Sequence, residues 1–317
     1  MKVDGAALLL LAARVVPRLP RALTGAIFAA AADIATLAGI GGVHQLRANL
    51  ARVVPDAGPA RLRRLTRAGM RSYLRYYEES LRLSGVTPAQ LAQRVRCSND
   101  GPLREEFAAG RPVVAALGHN GNWDLAGAWA TQFLAPVVTV AEHLEPEELF
   151  QGFLSFRRSL GMTIIPLEKG GSTFREVLRA TLGKPVITPL LADRDLSRGG
   201  IEVQMFGEPA RVAPGPAALA AATGAPLVAT MISYERLRGV RRRAAGTPWG
   251  IHIAFGRPLR APAGMDRADA VVHLTQLWVD ELAAAIAEHP EDWHMLQPVF
   301  VADADPDRLA SVRKAVA

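Results

Sequence analysis

The chain has 317 residues, 50% hydrophobic and 21% charged, which is enough to bury a large core and does not fit a disordered or fibrous composition. Its formal net charge of +7 is carried by arginine, since lysine stands only at Lys2, Lys169, Lys184 and Lys314; an arginine excess suits phosphate, anionic lipid or a phosphorylated cofactor, and equally a GC-rich genome, so charge alone decides nothing. The single cysteine, Cys97, excludes an intrachain disulfide and a cysteine-type zinc site, and without a helix-turn-helix or an aromatic–basic platform nucleic acid is not expected as a partner.

Residues Gly5–Ala13 form a leucine-rich run, followed by Arg14, Arg18 and Arg21. The run is too short to span a bilayer, and the Arg-Val-Val-Pro-Arg that follows is a poor signal-peptide cleavage site. Ala22–Ile40 is long enough to span but contains Asp33, and its Leu23, Ile27, Ile34 and Leu37 fall on one helical face. Two amphipathic helices with basic flanks are expected. Such helices lie in a membrane interface, where apolar burial and arginine attraction to anionic lipid add together; packing on a protein core is the competing use. Further on, Arg61, Arg63, Arg64, Arg67, Arg71 and Arg75 stud a segment that also carries Leu62, Leu65, Met70, Tyr73 and Leu74, an amphipathic helix with a basic face for solvent or lipid headgroups.

From residue 111 the pattern changes. Short apolar runs predict strands at Val113–Leu117, Val137–Glu142, Thr163–Leu167, Pro185–Ala192, Glu202–Phe206, Leu227–Tyr234 and Gly250–Phe255. Helical stretches fall at Asp124–Gln132, Glu145–Leu160, Ser172–Leu182 and Pro214–Ala222, and Val271–Glu288 closes the body. This alternation predicts an α/β fold with a central, mostly parallel sheet flanked by helices. The expected organisation is a helical, membrane-associating region over 1–100, a core over 101–300 and a tail over 301–317, within one integrated domain. In such sheets the loops at the carboxyl ends of the strands carry the chemistry.

Strand Val113–Leu117 runs into Gly118 and His119, and Asp124 follows at the start of a helix. Gly118 and Gly121 permit a tight strand-to-helix turn, and Asn122 is a candidate helix N-cap. The imidazole thus sits at the carboxyl edge of the sheet with a carboxylate nearby. A carboxylate that accepts a proton from one ring nitrogen leaves the other basic. With no serine or cysteine nucleophile in the segment, the pattern points to direct general-base catalysis on an acceptor hydroxyl. A bare His-x4-Asp also arises by chance; its place after a strand is what gives it meaning.

The wider sequence resembles the lysophospholipid-acyltransferase-like superfamily, marked by His-x4-Asp, and within it the lipid A biosynthesis (lauroyl/myristoyl) acyltransferase family, closest to its actinobacterial branch, the phosphatidylinositol mannoside acyltransferases. The resemblance runs from about Leu46 to Phe300. It is carried by Gly-His-Asn-Gly-Asn-Trp-Asp-Leu-Ala-Gly (118–127), Val-Ala-Glu-His-Leu-Glu-Pro (140–146), Phe-Arg-Arg-Ser-Leu-Gly-Met (156–162), Ala-Asp-Arg-Asp-Leu (192–196), Phe-Gly-Glu-Pro-Ala-Arg (206–211), Pro-Gly-Pro-Ala-Ala-Leu-Ala (214–220) and His-Pro-Glu-Asp-Trp-His-Met-Leu-Gln-Pro (289–298).

The resemblance implies that His119 is the general base, with Asp124 as its motif partner and Asp193 as a second acid near it. At the position of Asp193 the mannoside acyltransferases commonly carry Glu; Asp is one methylene shorter, which bears on the acceptor. Glu142 is implied as a contact to a polyol acceptor, or is a strand-end charge facing water. Arg157 is implied to line the acyl-CoA site, or pairs with Glu148 or another acid. Arg194 contacts substrate or pairs with Asp195 to shape its loop, and His294 is read as structural. The implied reaction moves a long-chain acyl group from acyl-CoA, a co-substrate, to the 6-hydroxyl of a mannose of phosphatidylinositol mannosides, with no metal or other cofactor. The implied location is the cytoplasmic face of the cell membrane, held peripherally against an anionic surface. Another glycolipid or a lysophospholipid as acceptor, or water in a thioesterase, are the alternatives.

Overall fold

The structure, a computed structural model, describes residues 11–304 apart from 144, 168–171 and 198. Most of the Gly5–Ala13 run and of the 301–317 tail lie outside the described residues. Helices α1 (Arg21–Ala38), α2 (Val43–Val53), α3 (Pro59–Ser80) and α4 (Pro88–Arg94) come first, followed by strand β1 (Val95–Ser98) and helix α5 (Gly101–Ala108). Then β2 (Val113–Leu117), α6 (Trp123–Phe133), β3 (Val138–Glu142), α7 (Glu147–Ser159), β4 (Thr163–Leu167), α8 (Ser172–Thr181) and β5 (Ile187–Leu191) alternate. A hairpin of β6 (Ile201–Met205) and β7 (Glu208–Val212), helix α9 (Gly215–Thr223), β8 (Leu227–Arg236), α10 (Gly239–Ala245), β9 (Trp249–Phe255) and α11 (Arg267–Glu288) complete the fold.

The central sheet has the order β1-β9-β8-β2-β5. Every neighbouring pair is parallel except β8 with β9. A parallel bridge between Val137 and Ile187 attaches the parallel β3–β4 pair beyond β5. This is the mostly parallel sheet, flanked by helices, that the alternating pattern predicts. Strand β1 belongs to it although it precedes residue 100. The polar Arg-Cys-Ser of β1 conceals it, since an edge strand needs few apolar residues. Strand β7 is the other one that sequence patterning does not reveal. Phe206 and Gly207 both take positive φ, 52° and 80°, and so form a two-residue hairpin turn. The chain therefore re-enters a strand at Glu208-Pro209, which reads as part of the turn.

Both faces of the sheet are covered. On β2, Val114 and Ala116 join the core built with Trp278, Val279 and Leu282 of α11 and Leu219 of α9. The alternate residues Val113, Ala115 and Leu117 join the core built with Leu125 and Trp129 of α6 and Phe150 of α7. The two-residue period of a strand thus feeds two apolar layers, as burial of a parallel sheet on both sides requires.

Helix α1 packs on α3 through polar residues and through Ala32, which is buried in a cluster with Met70. Thr24 donates to Glu78 (2.6 Å), and Asp33 accepts from Arg67 and Arg71. Its apolar row faces outward, with Leu23, Ile27, Ile34 and Leu37 exposed by 48, 51, 62 and 88%. Of the described helices, α1 and α11 are long and apolar enough to cross a membrane, but α11 is a core helix in which Trp278, Val279, Leu282 and Ile286 are fully buried.

These environments predict contrasting costs. Leu282→Ala should lower the unfolding free energy by about 2–5 kcal/mol, whereas Leu37→Ala should change it by no more than about 0.5 kcal/mol; urea unfolding followed by circular dichroism measures both.

Candidate active site

Strands β2 and β5 are parallel neighbours in register, with Leu117 opposite Leu191. The pairing continues one residue further, the Ala192 N–H donating to the Leu117 carbonyl at 2.8 Å. His119 and Asp193 each lie two residues past a strand end, so the sheet sets them side by side. The imidazole Nδ1 is 2.6 Å from Asp193 Oδ1. Asp193 Oδ2 accepts from the His119 backbone N–H at 2.9 Å and from the Trp293 indole N–H at 2.8 Å. An ionised carboxylate only accepts, so Nδ1 carries the proton and Nε2 is the basic nitrogen.

Asp193 has no exposed surface, while 40% of the His119 side chain is open to the cavity described below. Burial alone would raise the Asp193 pKa; the charge and hydrogen bond of His119, with the Trp293 and His119 backbone donors, hold it below its ordinary value. For His119, burial pulls the pKa down, but the charge and hydrogen bond of Asp193 outweigh it, and the net shift is upward from 6.5. Arg194 opposes that rise and Glu142 adds to it. The Asp193 carboxylate, short as it is, reaches the imidazole at 2.6 Å.

Two glycines make the turn possible. A Cβ on Gly121, whose φ is +56°, would lie 2.4 Å from the Ile232 carbonyl oxygen. One on Gly118 would lie 3.0 Å from Asp193 Oδ2, crowding the carboxylate. Asn122 then caps α6, its Oδ1 accepting from the Leu125 N–H at 2.9 Å, and its amide donates to Glu79 Oε2 on α3 at 3.1 Å.

Asp124 does not share a hydrogen bond with His119. It sits in the first turn of α6, buried, and accepts from the Tyr76 hydroxyl and from Arg157 Nε, each at 2.8 Å. Spacing in sequence brings Asp124 near the histidine, but the helix turns its carboxylate toward α3 and α7. Arg157 therefore pairs with Asp124, not with Glu148, and the charge of Asp124 raises the guanidinium pKa. The ion pair joins α6 to α7 along the cavity wall.

The segment after α11 braces the motif from behind. The Gly121 N–H donates to the Asp292 carbonyl (2.9 Å), Asn120 bridges Trp293, and the His294 N–H donates to the His119 carbonyl (2.6 Å). The His294 ring is buried and lies 2.9 Å from the Ser72 hydroxyl through Nε2. Burial, with the charges of Arg75 and His119 adding, pushes its pKa down to about 3, so it is a neutral hydrogen-bonding group. The Ser72 hydroxyl also lies 2.5 Å from the Asp292 carboxyl, which burial pushes up to about 6. Sequence reasoning missed Trp293 and the α3 residues Ser72, Tyr76 and Glu79. For Trp293 the signal was its place in the last matching segment; for α3 the basic face drew attention from the other.

His119 opens on a cavity of about 480 Å³. Glu142, Arg157 and Arg194 line it together with His119 and Asp124, whereas Asp193 lies behind the imidazole. Much of the remaining wall is apolar, with Ala115, Ala126, Gly127, Ala130, Met162, Ile187, Ile232 and Phe255 in the lining. The small residues of α6 are what leave this space open. Among the described residues no group of three or more His, Cys, Asp or Glu side chains is placed to hold a metal ion.

The family model described as bacterial lipid A biosynthesis acyltransferase matches residues 5–301. The phosphatidylinositol mannoside acyltransferase of Mycolicibacterium smegmatis is 39% identical over 299 residues, covering 94% of this chain and 91% of that protein. The protein of the same name from Mycobacterium tuberculosis H37Rv is 40% identical over 275 residues, covering 86% of this chain and 82% of its own length.

The electrostatics predict two distinct histidine titrations. His119 should titrate above pH 6.5 in a histidine NMR experiment, and His294 should stay neutral down to about pH 4. Because the folded pKa of His119 exceeds its unfolded value, its stabilising contribution is full below about pH 6.5 and is lost as pH rises through the folded pKa.

Proposed function

This chain belongs to the bacterial lipid A biosynthesis acyltransferase family, and from that membership we propose that it transfers a long-chain fatty acyl group from acyl-CoA to the 6-hydroxyl of a mannose of phosphatidylinositol mannosides, with His119 as general base. The observation that carries the reading is the His119–Asp193 pair, its Nδ1 engaged at 2.6 Å and its other nitrogen left basic beside an apolar cavity. The acceptor is the one for which the two mycobacterial relatives are named, and those relatives support it here.

In the proposed reaction the acceptor hydroxyl gives its proton to His119 Nε2 as its oxygen attacks the thioester carbonyl. Asp193 steadies the imidazolium without taking the proton. When the tetrahedral adduct collapses, the C–S bond breaks, and the proton on Nε2 passes to the departing thiolate. The products are the ester and free CoA. Arg194, lining the cavity near His119, is suited to meet negative charge on the adduct or on the donor's phosphates. Glu142 is suited to accept hydrogen bonds from sugar hydroxyls. Arg157 and Asp124 shape the wall, and the apolar interior suits an acyl chain.

The same proposal places the protein peripherally at the cytoplasmic face of the cell membrane, against anionic lipid. The support is the outward apolar row of α1 beside the basic residues of α3.

His119→Ala should reduce transfer from labelled palmitoyl-CoA by about 10²- to 10⁴-fold while circular dichroism shows the protein still folded at the assay temperature, and wild-type kcat/KM should rise with pH through a value above 6.5. Mass spectrometry of products from mannosylated phosphatidylinositol, a lysophospholipid and no acceptor identifies the acceptor; free fatty acid formed at the same rate without acceptor would make water the acceptor and defeat the reading. For the membrane placement, Ile34→Asp with Leu37→Asp should abolish co-sedimentation with anionic vesicles while the protein stays folded; retained binding would refute it.

A further inference from the structure

We propose that Trp293 is a positioning residue for the general base, acting through Asp193. The inference rests on the reading of His119 as that base. The Asp193 carboxylate can rotate about its Cβ–Cγ bond, and the plane of its two oxygens must be held for one of them to lie in line with His119 Nδ1. Two donors hold Oδ2, the Trp293 indole N–H at 2.8 Å and the His119 backbone N–H at 2.9 Å, and leave Oδ1 for the imidazole at 2.6 Å; of the two, the indole is the side-chain donor. Both Trp293 and Asp193 are fully buried, so no water replaces the indole donor without a rearrangement.

The tryptophan is itself held in place from three sides. Its backbone forms an antiparallel bridge to Asn120, inside the catalytic loop. Its neighbours Asp292 and His294 bond to Gly121 and His119. The Phe206 ring, at the hairpin turn, lies 6.0 Å from the indole. The brace therefore keys the indole to the loop that carries the base, and not only to the core. An apolar side chain at 293 would fill the space but would leave a buried carboxylate oxygen one donor short, an expensive state. Asp193 would then become more basic, hold the Nδ1 proton more strongly and raise the pKa of the imidazole.

The test uses full-length protein with Trp293→Phe, and with 3-benzothienylalanine introduced at 293 by codon suppression, where sulfur replaces the indole N–H and the shape is kept. His119→Ala is assayed in parallel. In the isostere, kcat should fall by about 10- to 100-fold, as for loss of one hydrogen bond to a charged group. KM should stay as in the wild type, the melting temperature should fall as loss of a buried donor to a charged group requires with the protein still folded at the assay temperature, and the acidic limb of the kcat–pH profile should move to higher pH. Wild-type kcat with an unmoved limb in the isostere overturns the proposal. So does a loss of activity in Trp293→Phe that the isostere restores, since shape alone would then matter. If His119→Ala retains activity, it is the general-base reading that has failed, whatever the tryptophan variants do.

Discussion

A carboxylate with no exposed surface stands at the centre of this protein. Burying such a charge costs several kcal/mol unless the surroundings supply partners. Asp193 receives three donors, two from His119 and one from Trp293. These come from the end of β2 and from the segment beyond α11, so the carboxylate is satisfied only when widely separated parts of the chain have converged. The in-register pairing of β2 with β5, the glycine at 118 and the return of the chain behind the sheet all serve that convergence. The polarity of the imidazole follows from it, because the buried acid fixes which nitrogen keeps the proton.

Helix α3 is the second organiser. One flank donates or accepts at Ser72, Tyr76 and Glu79, toward the 292–294 segment, Asp124 and Asn122. Another flank holds α1 through Glu78, Arg67 and Arg71. Glu79 also forms a buried pair with Arg94 at 2.8 Å. The helix thus links the N-terminal region to the 119–122 loop by polar contacts, most of them out of solvent, where each bond is stronger and each omission more costly.

The sequence exposes some of this directly. The apolar runs at Val113–Leu117 and Thr163–Leu167 coincide with observed strands, because a strand buried on both faces writes a continuous apolar signal. The edge strand β1 and the hairpin strand β7 write no such signal. The histidine was legible from its position after a strand. Its hydrogen-bonded acid was not legible from spacing, which points to Asp124; Asp193 lies 74 residues away in sequence and meets His119 only through strand register. Trp293 lies 100 residues beyond Asp193, and no local pattern distinguishes its N–H from that of any other core tryptophan. Long-range polar contacts depend on topology, and topology is what periodicity reads least.

Helix α1 runs antiparallel along α3, with Thr24 against Glu78 and Asp33 against Arg67 and Arg71. Glu78 is followed directly by Glu79, which holds Asn122 in the loop that begins at His119. The outward row of α1 and that loop therefore share one support, and a push on the start of α1 reaches the loop through two adjacent carboxylates.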